Sequence, residues 1–328
     1  MGSLRGMLAL AAAALLPAGL SLAQSVISAR SGLVHYVEGR VLINDEPVEV
    51  KFGTFPDVKE NATLRTEEGR AEILLTPGVF LRVGENSSFR MITNRLIDTR
   101  VEFLSGSMVV EAAEPSKDNS VSVVYQSDVV TLRKKGIYRF DSSPAQLRVF
   151  DGAAEAQVAG KTVEVKEGKA LTLDGSAETA KFDKNASDAL NRWSRRRGEY
   201  IAMANVYAAK SIKDSGMSWS SGGWAWNPYF GMFTFIPTSG MYYSPYGFRF
   251  WSPLTVYRVY QPRPVYIGSP IAGGGIHPGY RTPVGSISGR SAPMATAAPS
   301  AHAPTATGSG GGPAPIPRGA GGGHGARR

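Results

Sequence analysis

Four arginines crowd into six consecutive positions, and their chemistry suits the binding of an anion. They are Arg192, Arg195, Arg196 and Arg197. A guanidinium group binds carboxylates and phosphates through paired, charge-assisted hydrogen bonds. The cluster therefore predicts a docking site for acidic groups or, alternatively, a solvated helix face whose long stems cover apolar surface.

Aromatic side chains form a second candidate binding set. Residues 217–266 contain 16 aromatic side chains in 50 positions, against 9% over the whole chain. Aromatic faces stack on sugar rings and on other flat apolar faces. The candidate binding residues here are Trp219, Trp224, Trp226 and Tyr229. Alternatively, the rings pack on one another in short hairpins against the rest of the protein, or they lie at a membrane interface, where Tyr and Trp are enriched.

Reactive side chains are scarce. The chain has no cysteine, which excludes thiol nucleophiles, disulfide scaffolds and zinc fingers. Of its four histidines, only His35 lies in a segment with the composition of a folded domain. Acidic residues stand singly at turns, as Glu38, Asp151 and Glu167 do, although paired carboxylates can converge in three dimensions. We expect no catalytic residue, no metal and no cofactor, and a protein that is not an enzyme.

A repeated glycine pattern indicates the elements that hold these residues. In five places apolar or aromatic residues stand five and three positions before a glycine, and an apolar or small residue follows two positions after it. The glycines are Gly39, Gly78, Gly106, Gly152 and Gly168. Alternation on both sides of a residue that tolerates positive φ predicts a hairpin at each glycine. At Gly78 the pattern places Val79, Leu81 and Val83 on one face and Phe80 and Arg82 on the other.

Ten or more short strands can be counted in this way, with no long helix among them. We therefore predict an all-β domain over residues 24–178. Its architecture is a sandwich, a jelly roll or a coiled β-helical fold, and patterning alone leaves these alternatives open.

The period changes in residues 182–212, where an amphipathic helix is predicted. The apolar positions that follow three-and-four spacing are Leu190, Trp193, Tyr200, Ile201, Ala204, Tyr207 and Ala208. Asn185 or Ser187 is the expected N-cap. We expect Leu190 and Trp193 to seat the helix on the β domain. Gly198 costs about 1 kcal/mol relative to alanine in a helix interior and marks a possible kink.

The two ends of the chain have biased compositions. Residues 1–23 have a charged start, an apolar run and a small-x-small motif, which predict a signal peptide cleaved after Ala23. The mature protein is then periplasmic or secreted, and no further stretch is long enough for a transmembrane helix. Residues 267–328 are rich in Gly, Pro and Ala and are predicted to be disordered.

Charge is distributed unevenly along the chain. Residues 1–212 carry 27 basic and 26 acidic residues, so 9 basic and 1 acidic remain in residues 213–328. The basic character therefore belongs to the C-terminal part. We expect no nucleic-acid partner, because the predicted domain is nearly neutral. An envelope protein or an anionic envelope polymer is the expected partner.

Several segments resemble the successive blocks of the FecR-like domain family over residues 30–175. They are ILLTPGVFLRVGENSSF, TRVEFLSGSMVVEA, SVSVVYQSDVVTLRKKGIYRFD and AQLRVFDGAAEAQVAGKTVEVKEGKALTL. The chain has Lys135-Gly136-Ile137 where the family usually has a Gly-Thr pair. The resemblance implies an extracytoplasmic β domain. The best-known members relay a signal to a sigma factor through a transmembrane helix and a cytoplasmic segment. Because a cleavable leader is predicted instead, we expect the domain, its compartment and an interaction role to carry over.

Together these observations predict an exported, non-enzymatic FecR-like protein that acts as an interaction or signal-sensing module of the cell envelope. The alternative is a polysaccharide- or peptidoglycan-binding protein that uses the aromatic region. A carboxylate-dependent hydrolase is a third hypothesis.

Overall fold

The computed structural model describes residues 31–49, 51–113 and 119–260. The predicted signal peptide and the predicted disordered tail lie outside these residues.

Within these residues fifteen strands precede a single α-helix, which confirms the prediction of an all-β domain followed by one helix. The first eight strands are β1 (Leu33–Ile43), β2 (Glu46–Pro47), β3 (Thr63–Leu74), β4 (Val79–Val83), β5 (Ser88–Arg95), β6 (Asp98–Ser105), β7 (Ser107–Ala112) and β8 (Ser120–Tyr125). The next seven are β9 (Asp128–Leu132), β10 (Gly136–Ser142), β11 (Ala145–Asp151), β12 (Ala153–Val158), β13 (Lys161–Lys166), β14 (Lys169–Thr172) and β15 (Thr179–Lys181).

These strands form one large, nearly closed sheet. Its order is β13-β12-β9-β8-β6-β5-β3-β4-β7-β10-β11-β14-β15, with β1 paired to β3 and to β2. From β6 onward the chain alternates between the two halves of this order, and β6 and β8 pair in parallel. Side chains from both halves, such as Val101, Val123, Leu81 and Leu147, share one hydrophobic core. The core therefore lies inside the coiled sheet.

The five patterned glycines all have positive φ, but only one of them closes a hairpin. Gly78 (φ 81°) joins β3 to β4, which pair with each other. Gly39 lies within β1, opposite Gly69 of β3. Gly106, Gly152 and Gly168 connect strands that do not pair and belong to different halves of the sheet. The prediction of a hairpin at these four positions is wrong, because a corner of a coiled sheet requires the same local sequence as a tight turn.

Helix α1 (Ala189–Asp214) packs on the outer face of the sheet. Leu190 and Trp193 are buried against Val109 and Ile137, as expected. The N-cap is Asp188, not Asn185 or Ser187, because the Asp188 carboxylate accepts a hydrogen bond from the Asn191 N–H at 2.9 Å. This carboxylate also forms a salt bridge with Arg139 of β10 at 2.5 Å, which fixes the start of the helix on the sheet.

Gly198 lies in an unbroken helix, at a point where the helix backbone comes close to Glu111 and Tyr246. A Cβ atom at this position would lie 3.2 Å from Glu111 Oε2 and 3.3 Å from a ring carbon of Tyr246. The glycine therefore lets the helix backbone pass near a buried carboxylate of β7.

The aromatic region forms an ordered layer over the outer face of the sheet and α1. This aromatic layer consists of β16 (Gly223–Asn227), β17 (Met232–Ile236), β18 (Met241–Tyr243), β19 (Arg249–Trp251) and a 3-10 helix (Val256–Tyr260). β16 pairs with β17 and β18 pairs with β19, both antiparallel. Trp224 contacts Phe80 of β4 edge-on, with ring centroids 5.2 Å apart. The rings thus pack on one another in short hairpins against the β domain.

Candidate functional site

Strands β3, β4 and β7 hold a cluster of buried charges beneath α1. Arg82 donates from Nε to Glu72 Oε2 at 2.8 Å and from Nη1 to Glu111 Oε2 at 2.7 Å. Arg197 of the helix donates from Nη2 to Glu72 Oε1 at 2.8 Å. His35 of β1 donates from Nδ1 to the same oxygen at 2.9 Å. We call these five residues the buried charge cluster.

The two carboxylates of this cluster have opposite pKa shifts. Burial alone would raise the pKa of Glu72, but the charges of Arg197 and Arg82 and the hydrogen bond from His35 hold it well below its usual range. Burial raises the pKa of Glu111, and Arg82 offsets only part of that rise. Both side chains are at most 1% exposed. These two acids with shifted pKa values therefore lie under the helix, away from solvent.

The four predicted arginines divide between two environments. Arg197 points inward and belongs to the buried charge cluster. Arg192, Arg195 and Arg196 are exposed. All ten described arginines between residues 31 and 178 form a salt bridge with a carboxylate. In the described part of the chain, no carboxylate forms a salt bridge with the three exposed arginines of α1.

The four predicted aromatic residues are also divided. Trp224 is only 6% exposed and belongs to the core between the sheet and the aromatic layer. Trp219 and Trp226 are half-buried and pack against hydrophobic clusters. Tyr229, in the turn after β16, is 82% exposed. Of this set, Tyr229 is the side chain that a partner can reach most fully.

Helix α1 exposes an aromatic row that the sequence pattern places on its buried face. Tyr200 and Tyr207 are each 52% exposed, and Met203 between them is 48% exposed. The prediction that the two tyrosines face the sheet is wrong, because the buried stripe is centred on Ile201 and Ala208, each one residue further along. A step of one residue turns the helix by about 100°.

These residues continue a row of arginines along the same side of the helix. The row is Arg192, Arg196, Tyr200, Met203 and Tyr207, with spacings of four, four, three and four residues. Such spacing keeps side chains on one face. Tyr229 stacks on Tyr207, with ring centroids 5.7 Å apart and ring planes at 18°. We call the five helix residues together with Tyr229 the outer stripe. The spacing was present in the sequence, but adjacent apolar positions obscured which side the tyrosines occupy.

A cleft of about 430 Å³ lies where the outer stripe begins, and we call it the arginine cleft. The residues that line it include Asp151, Glu167, Lys184, Arg192, Arg195 and Tyr246. Burial, together with the charge of Glu167, raises the pKa of Asp151. The sheet corners at Gly152 and Gly168 bring these two carboxylates together, although they stand singly in the sequence.

A second concavity of about 720 Å³ lies near the β1–β2 turn and is lined by Glu46, Glu49, Asp57 and Glu60, among other residues. Within the described residues, no group of three or more His, Asp or Glu side chains is placed to hold a metal ion. None of the helices in this part of the chain is long and apolar enough to cross a membrane.

No family model matches the chain, and no curated protein matches it. Two crystal structures of a proposed anti-sigma factor from Parabacteroides distasonis ATCC 8503, at 2.50 and 1.65 Å resolution, are similar to it with a TM-score of 0.32 each. The sequence identities are 11% and 10%, and the matches cover 40% and 41% of this chain. They span less than two thirds of the other chains, 62% and 63%.

Proposed function

We propose that this protein is an exported, non-enzymatic binding module of the cell envelope, built on a FecR-like β domain, and that its outer stripe binds an anionic envelope polymer. One observation carries the proposal. The outer stripe aligns arginines that lack carboxylate partners among the described residues with exposed tyrosines on one face of a rigid helix.

This combination of side chains suits an acidic glycan. Guanidinium groups bind its anionic substituents, and tyrosine faces stack on its sugar rings. A row that extends over 16 residues of helix, from Arg192 to Tyr207, spans about 22 Å because each of the 15 steps rises about 1.5 Å. That length favours an extended, repeating ligand over a small molecule.

The non-enzymatic part of the proposal is supported by the placement of the acids. Glu72 and Glu111 are the fully buried acids with shifted pKa values, and both lie beneath α1. Glu72 forms ion pairs with Arg82 and Arg197, and Glu111 forms one with Arg82. Catalytic acids need both a perturbed pKa and access to substrate. Asp151 in the arginine cleft meets both conditions, but the neighbouring Glu167 is paired with Lys184, and the charges of Lys135 and Lys184 oppose the rise in the Asp151 pKa. The export of the protein and its FecR-like character rest on the leader and on the block pattern in the sequence.

Co-sedimentation with purified peptidoglycan sacculi and with outer-membrane vesicles tests this function. Residues 24–328 should pellet with an anionic polymer at low salt, and the double variant Arg192→Ala/Arg196→Ala should remain in the supernatant. Arg40→Ala/Arg95→Ala, which removes two exposed arginines of the β domain, is the matched control. At about 1 M salt, where the Debye length is about 3 Å, pelleting of the wild type should fall sharply.

The remaining outcomes contradict the proposal in distinct ways. Loss of pelleting in Tyr200→Ala/Tyr207→Ala alone, at any salt concentration, would indicate stacking on a neutral glycan. Equal pelleting of the arginine variant and its control would exclude the outer stripe as the surface that binds the polymer. Failure of the wild type to pellet with any envelope fraction would direct the search to a protein partner.

A further inference from the structure

We propose that the arginine cleft is the site for a single oxyanion group, the carboxylate or phosphate of an acidic sugar. This inference rests on the proposed function, since it names the chemical group that one subsite of the polymer-binding surface accepts. The cleft volume of about 430 Å³ lies within the usual range for small-ligand sites.

The balance of charge inside the cleft favours an anion. Lys184 forms a salt bridge with Glu167, so these two charges compensate each other. Lys135 and Lys184 act on Asp151 and offset part of the rise in its pKa. Arg192 and Arg195 have no such partner among the described carboxylates. Asp151 forms no salt bridge among the described residues, so the three cations and two carboxylates of the lining leave a net charge of +1, which the two guanidinium groups supply.

Both guanidinium groups are oriented, yet neither is saturated. Arg192 donates from Nη1 to the Ser187 carbonyl oxygen at 2.9 Å. Arg195 lies over the ring of Phe248, 5.4 Å from its centroid. A guanidinium has five N–H donors, so each side chain keeps several donors for a ligand. Orientation before binding lowers the entropic cost of recognising an anion.

The position of these arginines on α1 provides an independent argument. The first turn of the helix contains no acidic residue, and Arg192 stands on the fourth helical residue. Cations near a helix N-terminus oppose the helix dipole, which favours anions there. The Asp188 carboxylate already caps this N-terminus and pairs with Arg139, so a bound oxyanion would chiefly satisfy the two arginines. The ring of Tyr246 lines the same cleft and offers a sugar an apolar contact.

Binding of small acidic sugars to the leaderless chain tests the inference. The probes are trigalacturonic acid, its neutral methyl ester and glucose 1-phosphate, with affinities measured by calorimetry and by amide chemical shifts. We expect the trimer or the phosphate to bind and the ester not to bind. Whichever of the two acids binds identifies the source of the oxyanion. Arg195→Gln should weaken binding by at least about tenfold, because a charge-assisted hydrogen bond is lost.

Arg196→Gln is the matched control, because Arg196 belongs to the outer stripe and is not among the residues that line the cleft. This variant should keep its affinity for the small acid within about twofold, while it pellets less with the polymer. Equal binding of the ester, unchanged binding by Arg195→Gln, or no binding of either acid would overturn the cleft assignment. The proposed function would stand in those cases if the sacculi still required Arg196, so the two failures are distinguishable.

Discussion

The inner face of helix α1 carries Ser194, Arg197 and Asn205, whereas its outer face carries Tyr200, Met203 and Tyr207. The inner face is otherwise apolar, as in a usual surface helix, so these buried polar groups and exposed apolar groups are departures from that arrangement. The three inner polar groups all have hydrogen-bond partners, whereas the outer groups are about half exposed and Tyr207 stacks on Tyr229. The comparison teaches that specificity of packing resides on the inner face, whereas the outer face leaves side chains available for the recognition that we propose.

Asn205 shows how the inner face organises the aromatic layer. Its Nδ2 donates to the carbonyl oxygens of Phe235 at 2.9 Å and Trp251 at 3.0 Å, and its Oδ1 accepts from the Trp251 N–H at 2.7 Å. One amide therefore joins the helix to both aromatic hairpins. Thr234 adds a bond from its hydroxyl to the Ile201 carbonyl oxygen at 2.7 Å.

Substitution of two adjacent arginines, one on each face of α1, should give the largest difference in the free energy of unfolding. Arg197→Ala leaves the carboxylate of Glu72 buried with one cation fewer, and we expect a loss of about 3 to 5 kcal/mol in the free energy of unfolding. Arg196→Ala, one residue away on the outer face, should change it by less than about 0.5 kcal/mol. Urea denaturation measures both. Similar values for the two variants would show that the faces are not different in this way.

Two aromatic residues of the same hairpin sharpen the comparison. Trp224→Ala opens a cavity against Phe80 and should cost about 3 kcal/mol, the low end for tryptophan because the site lies at the edge of the core. Tyr229→Ala removes an exposed ring and should leave the free energy of unfolding unchanged within about 0.5 kcal/mol. In pelleting assays the order should reverse, with only Tyr229→Ala impaired among variants that remain folded. Destabilisation by both would mean that Tyr229 belongs to the core.

From the sequence, the type of each element, strand or helix, could be predicted more accurately than the elements that lie beside it in the fold. Alternation identified the strands, and the spacing of Leu190 and Trp193 identified the helix and its seat. The corners at Gly106 and Gly152 could not be distinguished from hairpins, because pairing depends on residues far away in the chain. The inward orientation of Arg197 could not be predicted from the sequence either, because its partner Glu72 lies 125 residues earlier.

Asn205 offers a prediction of intermediate size. Asn205→Ala removes the partner of two carbonyl oxygens and one N–H in a buried interface, and we expect a loss of about 2 kcal/mol in the free energy of unfolding. Ser211→Ala, on the exposed side of the same helix, is the matched control. Hydrogen exchange of the Trp251 amide should accelerate in the first variant and not in the second. An unchanged Trp251 amide would show that the hairpin is held by its rings alone.

The smallest expected effect concerns pH and depends on His35. Its Nδ1–H donates to Glu72, while its Nε2 accepts the N–H of Phe233 at 2.9 Å, so the neutral ring joins the sheet to β17. Burial lowers the pKa of His35, and the hydrogen bond to Glu72 offsets only part of the shift. As the pH falls through about 6.5, the unfolded chain binds a proton on this histidine and the folded chain does not. The free energy of unfolding therefore decreases with falling pH in this window.

His35→Gln replaces the ring with a group that does not titrate but keeps a donor and an acceptor. The variant should be somewhat less stable at neutral pH and should show a shallower decline between about pH 7 and pH 5. Below this window the lowered pKa of Glu72 makes stability fall further as that carboxylate is protonated, and the raised pKa of Glu111 acts in the opposite direction. The difference between wild type and variant reports the His35 proton together with any change in Glu72, whose pKa the His35 hydrogen bond helps to lower. Parallel curves would show that the His35 proton is not linked to folding.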